Sequence, residues 1–455
     1  MTKYMGFGHG LLMVRTWIIS LGVGFVLMAC SSTPTPYPGP RGPVEPVIAE
    51  PEPTQTEPEQ TEEAQALEPE DVITRDGLVP PHMAGRDIKR LALLLPFSAR
   101  SARLRDEASS MMKAAEMAIF DRPDADALLL AFDTKGTPEG ARTAARAATQ
   151  AGVDVILGPI LAGSVKAVSR DARRNNIPVI AFSTDQNVAG NGTYLLSFPP
   201  EAEIRRIVTY ARETGIERFA FLGPESEYGR RAYEAYTRSI DMTGGQLTAS
   251  ENYKGRDISV MDAPAQKLAN YFAKVEAENK TARQRRLAQG QIIPASAPMA
   301  FEAILLPEGG TALRSLAPLL PYYEDGMADV QFLGTGLWHR EETVKEPALR
   351  GGIFAGPDQQ ARQGFLNRYD RTYGEDPSNL ASLAYDAVNF GTSVADGNVK
   401  GRYARVEDNN GFYGADGLVV FREDGTPDRG LAVYQIRNGR FVVIDPAPRQ
   451  ASGPG

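Results

Sequence analysis

The feature that most constrains the fold is a repeated alternation of short apolar runs and helical stretches. Four apolar runs occupy residues 91–97, 127–133, 153–158 and 177–183, and stretches with helical spacing of small and apolar residues separate them. Short continuous apolar runs are typical of strands buried on both faces of a parallel sheet. Strands that alternate with helices indicate βαβ units. The sequence therefore predicts an α/β fold with a doubly wound parallel sheet.

The same alternation begins again near residue 200. Strands are predicted within RFAFLGP, QLTASENY, AILLPEG and VQFLGTG, which gives a second α/β lobe over about residues 200–335. Near the end, apolar and polar residues alternate around Asp424-Gly425 and Asn438-Gly439, and this pattern predicts antiparallel hairpins on the second lobe. The charged stretch KVEAENKTARQRRLAQGQ predicts a solvated helix and loop, with a partner-binding insertion as the alternative.

The N-terminus has the organisation of a secretory signal. Basic residues precede an apolar stretch over residues 17–28, and small residues follow it. The stretch is well short of the roughly 20 residues that span a bilayer, so removal of residues 1–29 is expected. The tetrapeptide LMAC resembles a bacterial lipobox and predicts acylation of Cys30. The alternative is that Cys30, the single cysteine of the chain, is an ordinary buried side chain.

Residues 30–87 differ in composition from the rest of the chain. They are rich in proline, glutamate and threonine and contain few large apolar residues, so they predict a disordered tether that acts as a spacer. Residues 447–455 predict a disordered tail. The formal charge of −8 includes the acidic tether, and no basic face indicates nucleic-acid binding.

Enzymatic functions receive little support from the sequence. Only His82 and His339 follow the signal segment, and the neighbours of His339 predict a solvated helix start. No nucleophile elbow, phosphate-binding glycine loop or zinc-binding H-E-x-x-H motif is present. The sequence therefore predicts a protein that is not an enzyme, with no catalytic residue, metal site or cofactor.

Five segments resemble the type I periplasmic-binding-protein fold of the leucine/isoleucine/valine-receptor class. They read LALLLPFS, VDVILGPILAGSVKAVS, NNIPVIAFSTD, FAFLGPESEYGRRAYEAY and ASLAYDAVNF. In that fold the chain crosses between the lobes three times. The resemblance implies a first lobe of residues 88–199 plus about 336–410, and a second lobe of residues 200–335 plus about 411–446.

The lipobox, the acidic proline-rich tether and the ending FYGADGLVVFREDGTPDRGLAVYQI resemble the penicillin-binding protein activators. This resemblance implies an outer-membrane lipoprotein that faces the periplasm and stimulates peptidoglycan synthesis. Its partner would be a bifunctional penicillin-binding protein. The alternative function is a receptor that delivers amino acids or other small solutes to an ABC importer.

The fold resemblance implies a ligand cleft between the lobes, at the carboxyl ends of the parallel strands. The loop PILAGS departs from amino-acid receptors, because Leu161, Ala162 and Gly163 stand where a carboxylate-binding serine is common. Local capping is the alternative role for Ser183 and Thr184, lobe packing for Tyr228 and core packing for Trp338. The candidate cleft residues are Ser164, Ser183, Thr184, Asp185, Tyr228 and Trp338.

Overall fold

The computed structural model describes residues 73–74, 77–80, 83–291, 299–396 and 398–451. The predicted signal segment, Cys30 and most of the predicted tether lie outside the described residues. Within the tether as predicted, strands β1 (Ile73–Thr74) and β2 (Gly77–Leu78) pair antiparallel. Val79 is only 5% exposed. Ordered structure therefore begins before residue 87, because an apolar side chain there finds a buried position.

Five parallel strands form the sheet of the first lobe, in the order β4-β3-β5-β6-β7. In the central strand, Leu91, Leu93 and Leu95 contact one hydrophobic core, whereas Ala92 and Leu94 contact a second core on the opposite face. Burial on both faces explains why the run is continuously apolar. The strands are β3 (Lys89–Leu95), β4 (Ala127–Asp133), β5 (Val155–Leu157), β6 (Val179–Ala181) and β7 (Thr193–Leu195).

Helices α1 (Ala102–Phe120), α2 (Pro138–Gln150) and α3 (Ala162–Arg174) connect these strands. The start of α2 follows from its first residues. Thr137 Oγ1 accepts a hydrogen bond from the Gly140 amide at 3.0 Å, and Pro138 occupies the first helical position, where its missing N–H costs nothing.

The second lobe contains a seven-stranded sheet in the order β17-β16-β12-β11-β10-β8-β9, in which β16 is Leu431–Arg437 and β17 is Arg440–Asp445. Its parallel part is made from β8 (Arg218–Pro224), β9 (Gln246–Tyr253), β10 (Ala303–Leu305), β11 (Gln331–Gly334) and β12 (Ile353–Pro357). The helices of this part are α4 (Pro200–Glu213), α5 (Glu227–Met242), α6 (Ile258–Ala288), α7 (Gly310–Leu316) and α8 (Leu319–Tyr323).

The chain then returns to the first lobe. Helix α9 (Gln359–Tyr373) packs against α1 through Phe365 and Tyr369, and α10 (Ala381–Ala395) also packs on α1. Helix α11 (Val399–Val406) follows. A three-stranded antiparallel sheet of β13 (Phe412–Gly414), β14 (Gly417–Phe421) and β15 (Pro427–Arg429) adds Val419 and Phe421 to the core of the first lobe.

Strands β16 (Leu431–Arg437) and β17 (Arg440–Asp445) complete the second lobe. They pair antiparallel with each other, and β16 pairs antiparallel with β12. We define the first lobe as residues 89–198 plus 359–429, and the second lobe as residues 200–357 plus 431–445. The predicted α/β class with two doubly wound parallel-sheet lobes is confirmed.

The lobe boundaries differ from those predicted. The second crossing follows Pro357 rather than residue 335, because β12 hydrogen-bonds to β11 within the second sheet. The third crossing follows Arg429 rather than residue 410, because the three-stranded sheet packs on the core of the first lobe. The predicted tail also begins within the folded part, since Ala447 packs against the core of the second lobe.

Helix α6 is buried in its first half and exposed in its second half. Met261, Leu268 and Phe272 contribute to the core of the second lobe, whereas every residue from 280 to 291 is exposed. The charged stretch therefore forms a solvated helix, as its composition predicts. Within the described parts of the chain, no helix combines the length and hydropathy needed to cross a bilayer.

Candidate functional site

A cleft of about 590 Å³ lies between the two lobes, beside the chain crossings. Thr184 follows β6 and Tyr228 lies just after β8, so both stand at the carboxyl ends of parallel strands, where α/β folds bind ligands. The first lobe contributes Thr184, Arg362 and Leu380 to the lining, and the second lobe contributes Glu203, Tyr228 and His339.

Glu203 is the most unusual group in the cleft. It lies in the first turn of α4, only 7% exposed, and its Oε2 atom accepts a hydrogen bond from the Gly336 amide at 2.9 Å. Burial raises the pKa of Glu203 to about 8, and the nearby Glu201 raises it further while the Gly336 amide opposes the shift. The side chain is therefore a neutral carboxylic acid near neutral pH, able to donate a hydrogen bond.

The close approach of Glu203 depends on a glycine at position 336. A Cβ atom on Gly336 would lie 2.5 Å from Glu203 Oε1, a distance that real side chains do not adopt. The backbone of this loop and the acid of α4 thus form one tightly packed wall on the side of the second lobe.

Tyr228 stands beside that wall. Ser226 caps α5 by accepting from the Gly229 amide at 3.0 Å, which fixes the turn that presents Tyr228. The Tyr228 hydroxyl lies 2.9 Å from Thr335 Oγ1. Burial, followed by the proximity of Glu203, raises the pKa of Tyr228, so its hydroxyl remains protonated.

Glu308, at the end of β10, does not offer a free charge to the cleft. It is 3% exposed, and its carboxylate accepts from the Tyr253 hydroxyl at 3.2 Å and from Arg256 at 3.3 Å. Its negative charge is therefore balanced by an arginine of the same lobe.

Three of the predicted residues on the first lobe, Ser164, Ser183 and Asp185, do not line the cleft. Ser164, in the first turn of α3, is 1% exposed, and its hydroxyl has no hydrogen-bond partner among the described atoms. Ser183 Oγ accepts from the Asp185 amide at 3.2 Å, and Asp185 accepts from the Asn187 amide at 3.0 Å. Ser183 and Asp185 therefore stabilise the loop after β6, and Thr184 is the member of this loop that lines the cleft.

Trp338 does not line the cleft. It is fully buried in the core of the second lobe, and its indole Nε1–H donates to the Leu306 carbonyl at 3.2 Å. Gly334 makes room for it, since a Cβ atom at that position would lie 2.2 Å from the indole. The prediction of a cleft role for Trp338 is wrong, and its alternative as a core residue is correct.

His339 is also placed differently from the prediction. Instead of starting a solvated helix, its ring packs against Phe354, Tyr434 and Phe441, with centroid distances of 5.6, 5.1 and 4.7 Å. Burial, followed by the nearby charge of Arg362, lowers the pKa of His339 to about 4. The imidazole is neutral at physiological pH. Among the described residues, no cluster of three or more His, Cys, Asp and Glu side chains is placed to hold a metal.

Arg231 links the two lobes at the mouth of the cleft. From α5 it donates to both carboxylate oxygens of Glu201, each at 2.8 Å, and to the Thr184 carbonyl at 2.6 Å. Glu201 belongs to the second lobe and Thr184 to the first. A bidentate ion pair of this kind has strict geometry, so Arg231 fixes the position of the loop after β6.

We expect Arg231→Gln to lower the free energy of unfolding by roughly 1–3 kcal/mol, because the half-buried Glu201 loses its charged partner. Urea denaturation followed by circular dichroism measures the change. Arg230→Gln is the matched control, since Arg230 is 54% exposed and pairs with Glu227 and Glu234 at the surface. Its expected effect is below about 1 kcal/mol. Equal effects of the two substitutions would contradict a special role for Arg231.

Comparison with known proteins places this architecture in a family. Residues 89–440 match the model of the family described as periplasmic binding protein. The chain belongs to this family. No curated protein matches the sequence.

Solved structures of periplasmic binding proteins share the fold at low identity. A Rhodospirillum rubrum protein described as a branched-chain amino acid ABC transporter is 17% identical, with a TM-score of 0.64 over 78% of this chain and 100% of that one. The Streptococcus pneumoniae substrate-binding protein LivJ, in complex with isoleucine, is 18% identical, with a TM-score of 0.51 over 79% and 100%. A Rhodopseudomonas palustris solute-binding protein, in complex with 3,4-dihydroxybenzoic acid, is 14% identical, with a TM-score of 0.53 over 80% and 98%.

Several cleft residues of this periplasmic binding protein were not predicted from its sequence. Glu203 follows two consecutive prolines that mark a chain crossing, which is a local signal for its position but not for its burial. Gly336, Arg231 and Arg362 carry no comparable signal, because their roles depend on contacts between segments distant in the sequence.

Proposed function

We propose that this periplasmic binding protein is a solute-binding protein that holds one small molecule in the cleft between its lobes. The observation that carries the proposal is the convergence of polar groups from both lobes on one cleft, with Thr184 on one side and Tyr228 and Glu203 on the other. Family membership supports the same function. The wall that surrounds Glu203 is preformed, which lowers the cost of binding.

The size of the cleft supports a ligand of amino-acid or aromatic-acid size. Its volume of about 590 Å³ falls within the range of about 300–1,000 Å³ typical of small-molecule sites. The isoleucine and 3,4-dihydroxybenzoic acid bound by the two structural neighbours are ligands of this size. The cleft of this chain would accept a molecule of similar dimensions.

We also propose a cellular location for the protein, at the surface of a membrane. A secreted chain with acylated Cys30 would be held at the surface of a membrane, and residues 31–72 would separate the folded part from it. Several acyl chains provide a firm anchor at about 0.8 kcal/mol per buried methylene. Such a receptor would deliver its solute to an importer in the same membrane or across the periplasm.

Activation of a bifunctional penicillin-binding protein is the second candidate function, and it rests on the sequence resemblance. One structural feature favours it, namely the exposed second half of α6, where Lys280, Arg283, Arg285 and Arg286 extend into solvent. Such a helix offers a basic surface to another protein. No feature of the fold neighbours supports this function, so the solute-binding function is the better supported of the two.

Isothermal titration calorimetry with amino acids and aromatic carboxylic acids tests the proposal. At least one compound is expected to bind with a micromolar Kd, and Tyr228→Ala is expected to weaken it about ten- to hundredfold, because a buried aromatic contact and a hydroxyl are lost.

Tyr322→Ala is the control, since Tyr322 is 78% exposed and does not line the cleft. Its Kd should equal that of the natural protein. If no compound of the panel binds while a peptidoglycan synthase is captured from solubilised membranes, the activator function replaces the proposed one.

A further inference from the structure

Arg362 is the cationic side chain that the first lobe contributes to the cleft. It lies in the first turn of α9, just after the second crossing, and its side chain is 17% exposed. Its Nη2 atom donates to the Asn379 carbonyl at 3.1 Å, and its Nε atom lies 3.5 Å from Asp416 Oδ1. The contacts with Asn379 and Asp416 thus fix the guanidinium of Arg362, which lines the cleft.

Asp416, which holds Arg362, is itself fixed within a buried network. It sits in the turn between β13 and β14 and is fully buried. Asp386 of α10 accepts from the amides of Ala415 and Asp416 at 2.7 and 3.3 Å, which orients that turn. Arg429 donates to the Asp416 carbonyl at 3.3 Å and lies over the Phe198 ring at 4.0 Å. The network therefore connects the cleft arginine to the first and third crossings.

Near neutral pH, the charged side chains among the described residues of the cleft lining are two arginines. Five titratable side chains line it, and of these Arg340 and Arg362 carry a positive charge near neutral pH. Burial lowers the pKa of His339 to about 4 and raises that of Glu203 to about 8, so both are neutral there, and the raised pKa of Tyr228 keeps its hydroxyl neutral.

The acidic residues close to the lining lie outside it. Asp416 pairs with Arg362 and offsets part of its charge. Glu308 is paired with Arg256, and Glu201 is paired with Arg231 in the same lobe. Among the described lining residues Glu203 is the only carboxyl group, and its raised pKa keeps it neutral near neutral pH. A ligand ammonium group would therefore lack an ionised partner there, and an unpaired buried charge is costly. A carboxylate would meet the Arg362 guanidinium.

We infer that the cleft selects a carboxylate solute that carries no ammonium group, with Arg362 as the specificity-determining residue and Asp416 as the residue that positions it. This inference rests on the proposed solute-binding function. The neutral acid of Glu203 supplies a hydrogen-bond donor on the opposite wall, which suits a hydroxyl or a second oxygen of such a solute.

Two sets of compounds with matched shapes test the inference by calorimetry on the full chain. The first set is 4-methylpentanoate, leucine and 4-methylpentanamide, and the second is 3-phenylpropanoate, phenylalanine and 3-phenylpropanamide. Within at least one set, the carboxylate is expected to bind at least about tenfold more tightly than the amino acid and the amide, since charge-assisted hydrogen bonds are about twice as strong as neutral ones.

Tighter binding of leucine or phenylalanine than of the matched carboxylate would overturn the inference and leave the solute-binding function intact. Absence of binding by all six compounds would overturn the inference, and the wider panel of amino acids and aromatic carboxylic acids would then decide the solute-binding function. This comparison uses the natural protein, so it does not depend on the folding of any variant.

Arg362→Gln is expected to weaken carboxylate binding about ten- to hundredfold and to leave amide binding within about twofold. Arg371→Gln is the control, because Arg371 lies on the same helix and is exposed to solvent. Asp416→Asn is expected to reduce the preference for carboxylate over amide, a ratio that a merely structural role would not change. An unchanged ratio in both Arg362→Gln and Asp416→Asn would overturn the assignment of these residues.

Discussion

Replacement of Glu203 by glutamine is expected to increase the free energy of unfolding by roughly 2–4 kcal/mol near pH 8 and to flatten its dependence on pH. The natural acid is buried, and its ionised form is disfavoured in the folded state. Glutamine has the same shape and is never ionised. It also keeps a side-chain oxygen that can accept the hydrogen bond from the Gly336 amide, whose nitrogen lies 2.9 Å from Glu203 Oε2 in the natural protein.

The sign of the effect follows from proton linkage. The pKa of Glu203 rises from 4.5 in the unfolded chain to about 8 in the folded protein. Between these values the folded state binds more protons than the unfolded state, so stability falls as the pH rises. The contribution of the neutral acid is fully present below about pH 4.5 and is lost as the pH increases through about 8.

Urea denaturation of the natural protein and of Glu203→Gln, at about pH 5 and about pH 8, measures this difference. The two proteins should be closer in stability at the lower pH. Glu227→Gln is the control, because the Glu227 side chain is 69% exposed and its replacement should change stability by less than about 0.5 kcal/mol. A natural protein and a Glu203→Gln variant with the same pH dependence would show that Glu203 is ionised in the cleft.

Trp338→Ala should destabilise the protein by about 3–5 kcal/mol, the range found when a large aromatic side chain is removed from a core. The indole is fully buried, and Gly334 and Gly352 leave the space that it fills. Neighbouring backbone at these two glycines cannot easily collapse into the vacated volume. Trp338→Phe should cost less, since it keeps most of the apolar contacts and loses the hydrogen bond to Leu306.

Thermal or urea unfolding by far-ultraviolet circular dichroism suits this measurement, because the variants lack the fluorescence of the Trp338 indole. Phe120→Ala is the control for loss of an aromatic ring, since Phe120 is 76% exposed at the end of α1. Its effect should be within about 0.5 kcal/mol. A loss of less than about 1 kcal/mol for Trp338→Ala would contradict its assignment to the core.

The bounds of several strands could be predicted from the sequence, whereas the last parallel strand of the second lobe could not. The predicted segments match β4, β8 and β9 residue for residue, although only β8 is buried along most of its length, because β4 and β9 are edge strands of their sheets. Strand β12, with the sequence IFAGP, combines three apolar residues with glycine and proline, so its sequence does not predict a strand. Its pairing with β11 and β16 depends on its position in the sheet rather than on its own residues.

The choice of lobe for the hairpins is likewise a tertiary property. The turn signals at Asp424-Gly425 and Asn438-Gly439 indicate hairpins correctly, but they carry no information on the sheet that each hairpin joins. Prediction of the cleft residues from the sequence is limited in the same way. Hydroxyls after predicted strands could be located, whereas the burial that neutralises Glu203 arises from packing against a loop more than 130 residues away.

The return of α10 to the first lobe has a consequence for the synthesis of the chain. Helix α10 covers α1, yet about 260 residues separate the end of α1 from the start of α10. At roughly 5–20 residues per second, a ribosome needs on the order of 10–50 s to add them. During that interval the nascent first lobe exposes the apolar surface of Met111, Ala115 and their neighbours, so a chaperone or export factor that shields apolar segments has a defined period in which to act.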